Sequence, residues 1–175
     1  AIRTAFNLLG PLTNPAGAAR QLVGVPKPEF TELLARALQL LGSERAWVVH
    51  GADGIDEIST TGHTKISECR GERVSTFYVH PADFGIAKAA PAMLKGGDAA
   101  TNAAIIRRLL QGERSPARDV VLLNAGAALF IAGRSSSVCE GIDRAAAALD
   151  RGDAVRTLEA MVRASQMRDR SAVGA

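Results

Sequence analysis

Aromatic residues are scarce in this 175-residue chain: five Phe, one Trp and one Tyr, 4% in all. The core must therefore be aliphatic and alanine-rich. Aromatics are too few to interleave with basic residues as a platform for single-stranded nucleic acid. Cysteine is nearly absent. Cys69 and Cys139 stand far apart with no paired spacing, which points away from a disulfide framework and toward free thiols in a reducing, cytoplasmic compartment. No apolar run reaches the roughly 18 residues that a membrane span needs. The longest candidate, Val120 to Gly133, is interrupted by Asn124 and reads as a buried helix. Excess charge is also small. The formal net charge is +3, and basic residues are scattered apart from Arg163, Arg168 and Arg170. Neither a nucleic-acid backbone nor a membrane surface is expected as a partner. No basic, apolar and small-residue order marks a signal peptide.

Hydrophobic residues make up 47% of the chain, enough for one domain with a real core. Gly10-Pro11 and Asn14-Pro15 are turn signals after a short helical turn through Phe6 to Leu9. Arg20 to Val25 reads as a strand. Pro28 fits the first position of a helix whose apolar stripe is Phe30, Leu33, Leu34, Ala37, Leu38 and Leu41, with Gly42 as its left-handed cap. Ala46 to His50 is an apolar run without alternation, suited to a strand buried on both faces. Thr64 to Cys69 and Arg73 to Val79 form two further strands, joined as a hairpin through Gly71.

The second half is nearly all helix. One helix is capped by Asp98 and buries Ile105, Ile106, Leu109 and Leu110. A second starts at Ser115-Pro116 and is apolar on all sides to about Ala132, as a central helix is. Ser137-Val138-Cys139-Glu140 has the form of a capping box for a third. A last helix carries Val155, Leu158 and Val162. Met93, Met161 and Met167 read as packing or tail residues. The fold class is α/β: a mixed sheet flanked by helices, with a helix-rich second half. Three or four strands are fewer than such a layer usually holds, and the chain begins without Met inside structured sequence. Both suggest the C-terminal part of something longer. The expected organisation is a hinge over 1–15, an α/β domain over 16–167 and a frayed tail over 168–175.

Chemistry concentrates in Gly51-Ala52-Asp53-Gly54-Ile55-Asp56-Glu57-Ile58-Ser59, directly after a strand. Oxygen-only donors suit Mg²⁺ rather than zinc or copper. Carboxylates that crowd together need a cation or intervening water. From spacing, two readings stay open: a hard-cation site at Asp53, Asp56 and Glu57, or a solvated acidic loop with an ordinary Asp53-Gly54 turn. Arg3 to Pro15 offers a cation, hydroxyls and amides on a kinked backbone, and by spacing reads as a structural hinge. His50, at the end of a buried strand, reads as a core histidine satisfied by backbone. His63 and His80 show no zinc spacing. Asn124 must bond a neighbouring backbone group, as a buried amide does.

Two stretches carry a resemblance. Arg3-Thr4-Ala5-Phe6-Asn7-Leu8-Leu9-Gly10-Pro11-Leu12-Thr13-Asn14-Pro15 and Asp53-Gly54-Ile55-Asp56-Glu57-Ile58-Ser59 are similar to segments of the anthranilate phosphoribosyltransferase family. Gly96-Gly97-Asp98-Ala99-Ala100-Thr101-Asn102-Ala103 and Leu122-Leu123-Asn124-Ala125 resemble it further on, and the likeness extends to about Gln166. It implies transfer of a 5-phosphoribosyl group from phosphoribosyl pyrophosphate to anthranilate, releasing pyrophosphate, in tryptophan biosynthesis. It also implies Mg²⁺ as cofactor, Asp56 and Glu57 as its ligands, Asp53 as a turn residue, and a homodimer for the complete enzyme. The family's Gly-Thr-Gly-Gly-Asp and Lys-His-Gly-Asn segments have no counterpart in this sequence. By the resemblance, the arginine that contacts anthranilate lies before Ala1, which leaves Arg3 structural. Residues 16–167 then correspond to the C-terminal part of the phosphoribosyltransferase domain, and 1–15 to a link with an upstream helical domain. Alone, the chain is expected to be inactive. The alternatives are a non-enzymatic nucleic-acid-binding relative, against which the Asp56-Glu57 pair argues, and a pyrimidine-nucleoside phosphorylase, whose motifs do not resemble Arg3 to Pro15.

Overall fold

The computed structural model describes residues 10–172. The expected turn through Phe6 to Leu9, and most of the 1–15 hinge including Arg3 and Asn7, lie outside the described residues. Of that hinge, Gly10–Leu12 forms a single 3₁₀ turn. Asn14 then folds its side chain back to accept from the Ala16 amide at 2.9 Å, which satisfies an exposed turn as expected.

Four strands form one sheet in sequence order: β1 (Arg20–Gly24), β2 (Arg45–Gly51), β3 (Thr64–Arg70) and β4 (Arg73–Val79). β1 and β2 run parallel, and β2, β3 and β4 are antiparallel in turn. The parallel pair is joined by α1 (Phe30–Leu40). β2 is buried from Ala46 to Gly51, as its unalternating apolar run requires. The β3–β4 hairpin turns at Gly71, whose φ of +56° is the left-handed region that glycine enters freely.

The helix-rich half follows: α2 (Ala99–Leu110), α3 (Pro116–Ile131), α4 (Val138–Asp150) and α5 (Asp153–Ala172). Asp98 caps α2 by accepting from the Thr101 amide at 2.8 Å, and Ser115 caps α3 through the Arg118 amide. One face of the sheet packs on α1 through Val23, Val25, Leu34, Leu38, Ala46 and Val48. The other face packs on α3 through Trp47, Val49, Ile58, Ile66, Leu123 and Ala127. A third cluster joins α2, α3 and α4 around Leu109, Leu122, Ala145 and Leu149. Burial of each large aliphatic side chain contributes about 1.5–3 kcal/mol.

Some expectations shift. Regular helix in α1 starts at Phe30 rather than Pro28, because residues 27–31 first close turns in which the Lys27 and Pro28 carbonyls accept. Its buried face is Thr31, Leu34, Ala35 and Leu38, while Leu33 and Leu41 are exposed. The small Thr31 and Ala35 let the helix sit close to the sheet, and Ser67 of β3 donates to the Thr31 hydroxyl at 3.0 Å. In α2, Ile106 is exposed and Leu109 alone is fully buried. Met93 and Met161 are exposed as well. The capping box of α4 is split: Ser137 accepts from the Glu140 amide, but the Glu140 carboxylate takes the Ser136 amide and hydroxyl. Helical backbone continues to Ala172, through most of the expected tail.

Candidate active site

The acidic loop leaves the carboxyl end of β2, beside the carboxyl end of β1. In open α/β sheets this edge is where ligands bind. A cleft of about 230 Å³ opens there, lined by Leu22, Gly24, Val49, Asp56, Glu57 and Asn124. Four elements thus meet at it: β1, β2, the loop after β2, and α3.

The loop's first half is an internal scaffold. The Asp53 carboxylate accepts from the Ser59 hydroxyl at 2.9 Å, the Thr61 hydroxyl at 2.6 Å and the Ile55 amide at 3.4 Å. Burial pushes the Asp53 carboxyl up, but the bonds from Thr61, Ser59 and Ile55 outweigh it and hold it below the ordinary aspartate value. Gly54, at φ +90°, makes the turn. Asp53 is therefore engaged in shaping the loop, as a turn residue.

Asp56 and Glu57 differ from it. Both are exposed at the cleft, and among the described residues neither has a hydrogen bond or ion pair. Partial burial raises the Glu57 carboxyl above its ordinary value, and the negative charge of Asp56 raises it further. Adjacent carboxylates with no protein cation on them among the described residues form a donor set that fits a hard divalent ion. No group of three or more His, Cys, Asp or Glu side chains suited to a metal occurs among the described residues. Two carboxylates with the remaining positions left to water and phosphate oxygens is the donor pattern of Mg²⁺.

The backbone under this pair is held on both sides. At Gly24 of β1, a Cβ would lie 1.5 Å from the Asp56 carbonyl oxygen, so the loop rests directly on the glycine's backbone. From α3, Asn124 Oδ1 accepts from the Ile58 amide at 2.9 Å, and its Nδ2 donates to the Ile58 carbonyl at 3.0 Å. The same Nδ2 donates to the Val120 carbonyl at 3.0 Å. The sequence pattern assigned Asn124 a backbone partner, and it has one in its own helix. Its second partner, 66 residues away in the loop, carries no local sequence signal. Gly24 was likewise unmarked.

The other single residues fall where expected. His50 is buried, and its Nδ1 lies 2.8 Å from the Val25 carbonyl, a backbone-satisfied core histidine. His63 and His80 face each other with ring centroids 5.0 Å apart, but His80 Nδ1 accepts from the Ala82 amide to cap a 3₁₀ turn. Gly97 and Asp98 serve the start of α2. Cys69 is buried and Cys139 exposed, and both are free. No helix among the described residues is long and apolar enough to cross a membrane.

Residues 1–155 match the glycosyl transferase family, a/b domain. Among proteins of known sequence, the chain is 53% identical over 160 residues to an anthranilate phosphoribosyltransferase of Paramagnetospirillum magneticum, covering 91% of this chain and 46% of that one. It is 52% identical over 165 residues to the corresponding protein of Rubrobacter xylanophilus, covering 94% and 48%. Among solved structures, the anthranilate phosphoribosyltransferase of Thermus thermophilus superposes with a TM-score of 0.84 at 42% identity, over 93% of this chain and 48% of that one. The Saccharomyces cerevisiae protein in complex with PRPP and Mg superposes at 0.79 with 29% identity, over 90% and 46%. The chain spans about half the length of the relatives it matches.

Proposed function

The chain belongs to the glycosyl transferase family through its a/b domain, and from that premise we propose that it forms the metal-binding half of an anthranilate phosphoribosyltransferase site. The reaction is transfer of the 5-phosphoribosyl group from phosphoribosyl pyrophosphate to the anthranilate amine, with release of pyrophosphate. The carrying observation is the Asp56-Glu57 pair, unpartnered among the described residues, in a cleft at the carboxyl ends of two parallel strands. The likeness to proteins of that activity at about half identity supports it.

Asp56 and Glu57 are the residues that would hold Mg²⁺, which when bound offsets charge developing on a pyrophosphate leaving group. The chain's own contribution is positional. The loop scaffold around Asp53 and the contact with Gly24 keep the carboxylates at the cleft mouth, where a diphosphate can share their cation. Such positioning removes much of the entropic cost of bringing reactants together. Neither a nucleophile nor a glycine-rich phosphate loop is assigned to this chain. Phosphoribosyl pyrophosphate, anthranilate and a second copy are the partners of the complete enzyme, in a reducing, cytoplasmic compartment.

Loss of anthranilate fluorescence provides the assay. The 175-residue chain alone is expected to show no turnover. Fused in frame behind the amino-terminal half of the Paramagnetospirillum magneticum relative, it should consume anthranilate in the presence of Mg²⁺ and phosphoribosyl pyrophosphate. Asp56→Asn with Glu57→Gln should lower that rate at least 100-fold. A folded fusion without Mg²⁺-dependent turnover, or one indifferent to the double substitution, would refute the reading.

A further inference from the structure

α3 is apolar from Val120 to Ile131 except at Asn124. Asparagine is a poor helix former, so its place there calls for a reason. Its amide supplies one. Both Nδ2 hydrogens are used, on the Ile58 and Val120 carbonyls, and Oδ1 takes the Ile58 amide. The side chain thus pairs with Ile58 through both of that residue's backbone groups, as a neighbouring strand would. Because a backbone N–H can only donate, the Ile58 bond also fixes which amide atom is oxygen.

Ile58 itself is 1% exposed and packs in the cluster with Leu123 and Ala127, on either side of Asn124 in the sequence of α3. Asp56 is stopped from below by Gly24. The segment Asp56-Glu57-Ile58 is therefore held at its first residue by β1 and at its last by α3, with the carboxylates between. Adjacent like charges repel. An untethered loop would relax by swinging them apart.

We infer that Asn124 is a positioning residue of the metal site: its amide clasps Ile58 and holds Asp56 and Glu57 in register with the cleft against their mutual repulsion. This rests on the reading of Asp56 and Glu57 as metal ligands. Residues that orient ligands from behind characteristically cost 10–100-fold in metal affinity when removed.

The test uses the 175-residue chain, with Mn²⁺ alone as the spectroscopic probe, in Asn124→Leu, Asn124→Asp and Asp56→Asn variants. Leucine keeps the helix and the branched shape but removes the clasp. Asn124→Leu should speed exchange of the Ile58 amide hydrogen at least 100-fold relative to that of Val48 in the central strand, and weaken Mn²⁺ binding about 10-fold or more. Asn124→Asp keeps the acceptor for the Ile58 amide but replaces the Nδ2 donor with an oxygen facing the Ile58 and Val120 carbonyls, so it should lose only part of the protection that Asn124→Leu loses. Unchanged Ile58 exchange in Asn124→Leu overturns the inference. So does unchanged Mn²⁺ affinity in that variant when Asp56→Asn abolishes binding. Wild-type chain that binds Mn²⁺ no better than Asp56→Asn overturns the metal reading itself; that result stands apart from the clasp, because the exchange measurement needs no metal.

Discussion

Helices α3 and α4 cross at a glycine pair, and adding one methyl group there should destabilise the fold. A Cβ at Gly141 would stand 2.3 Å from the Gly126 carbonyl oxygen and 2.9 Å from its Cα. From the other side, a Cβ at Gly126 would stand 2.7 Å from the Ile142 amide nitrogen. At Gly141 the obstacles are all backbone, not flexible side chains, so the helices must separate by about 1 Å to restore ordinary contact. Overpacking of this kind costs about 1–3 kcal/mol. Alanine in place of glycine in a helix returns about 1 kcal/mol. With backbone on the opposing side the cost lies in the upper part of its range, and Gly141→Ala should lose about 1–2 kcal/mol net. At roughly 2–4 °C per kcal/mol for a domain of this size, Tm should fall by about 2–8 °C. Gly62→Ala is the matched control: nothing lies within 4 Å of its Cβ and its φ is outside the left-handed region. It should be neutral or gain up to about 1 kcal/mol. Urea unfolding followed by Trp47 fluorescence and by circular dichroism measures both variants. A Gly141→Ala protein as stable as wild type, beside a well-behaved Gly62→Ala, would refute the close-approach argument.

Glu68→Ala should cost about 2–3 kcal/mol, between a surface and a fully buried ion pair. It leaves the Arg45 guanidinium, whose side chain is 15% exposed, without its carboxylate, and removes the acceptor of the Trp47 indole. The same urea curves report the loss, with a changed Trp47 emission. Mn²⁺ binding at Asp56 and Glu57 should weaken as pH falls, beginning above the usual glutamate range, because the raised Glu57 carboxyl takes a proton early. Glu57→Gln should flatten that dependence in a relaxation titration. Asp53 has the opposite sign. Its lowered carboxyl contributes stability that is present above the ordinary aspartate value and lost as pH falls through the folded value. Asp53→Asn should therefore be less stable than wild type at pH 7 and converge with it in acid. Glu140, held down to about 2 by the Ser136 hydroxyl and amide and by Arg144, should titrate there in a carboxyl-resolved NMR series.

Much of the fold was legible because its determinants are local. Asp98, Ser115 and Ser137 bond backbone amides three residues on, so cap and helix start share one short stretch of sequence. The hairpin at Gly71 and the buried run of β2 are read the same way. Within the site, the carboxylate pair was legible, and the resemblance singled out Asp56 and Glu57 over Asp53. The hydrogen bonds on Asp53 belong to the loop's own scaffold. Periodicity was a poorer guide to which helix face is buried. It counted Leu33 and Leu41 into the stripe of α1, whereas docking on the sheet chose Thr31 and Ala35.

The chain's sequence by itself determined where its strands and most of its helices begin and turn, and that an acidic loop follows a buried strand. Each of these depends on residues within one or two turns of each other. Tertiary structure alone decided what that loop rests on. Gly24 and Asn124 come from a strand before the loop and a helix long after it, and they meet the segment Asp56 to Ile58 only when α3 packs across the sheet. A backbone contact and an amide clasp have no spacing to read. They exist because two close-packed faces bring distant residues within hydrogen-bond reach, and that proximity turns a solvated acidic turn into a held pair of carboxylates at the mouth of a cleft.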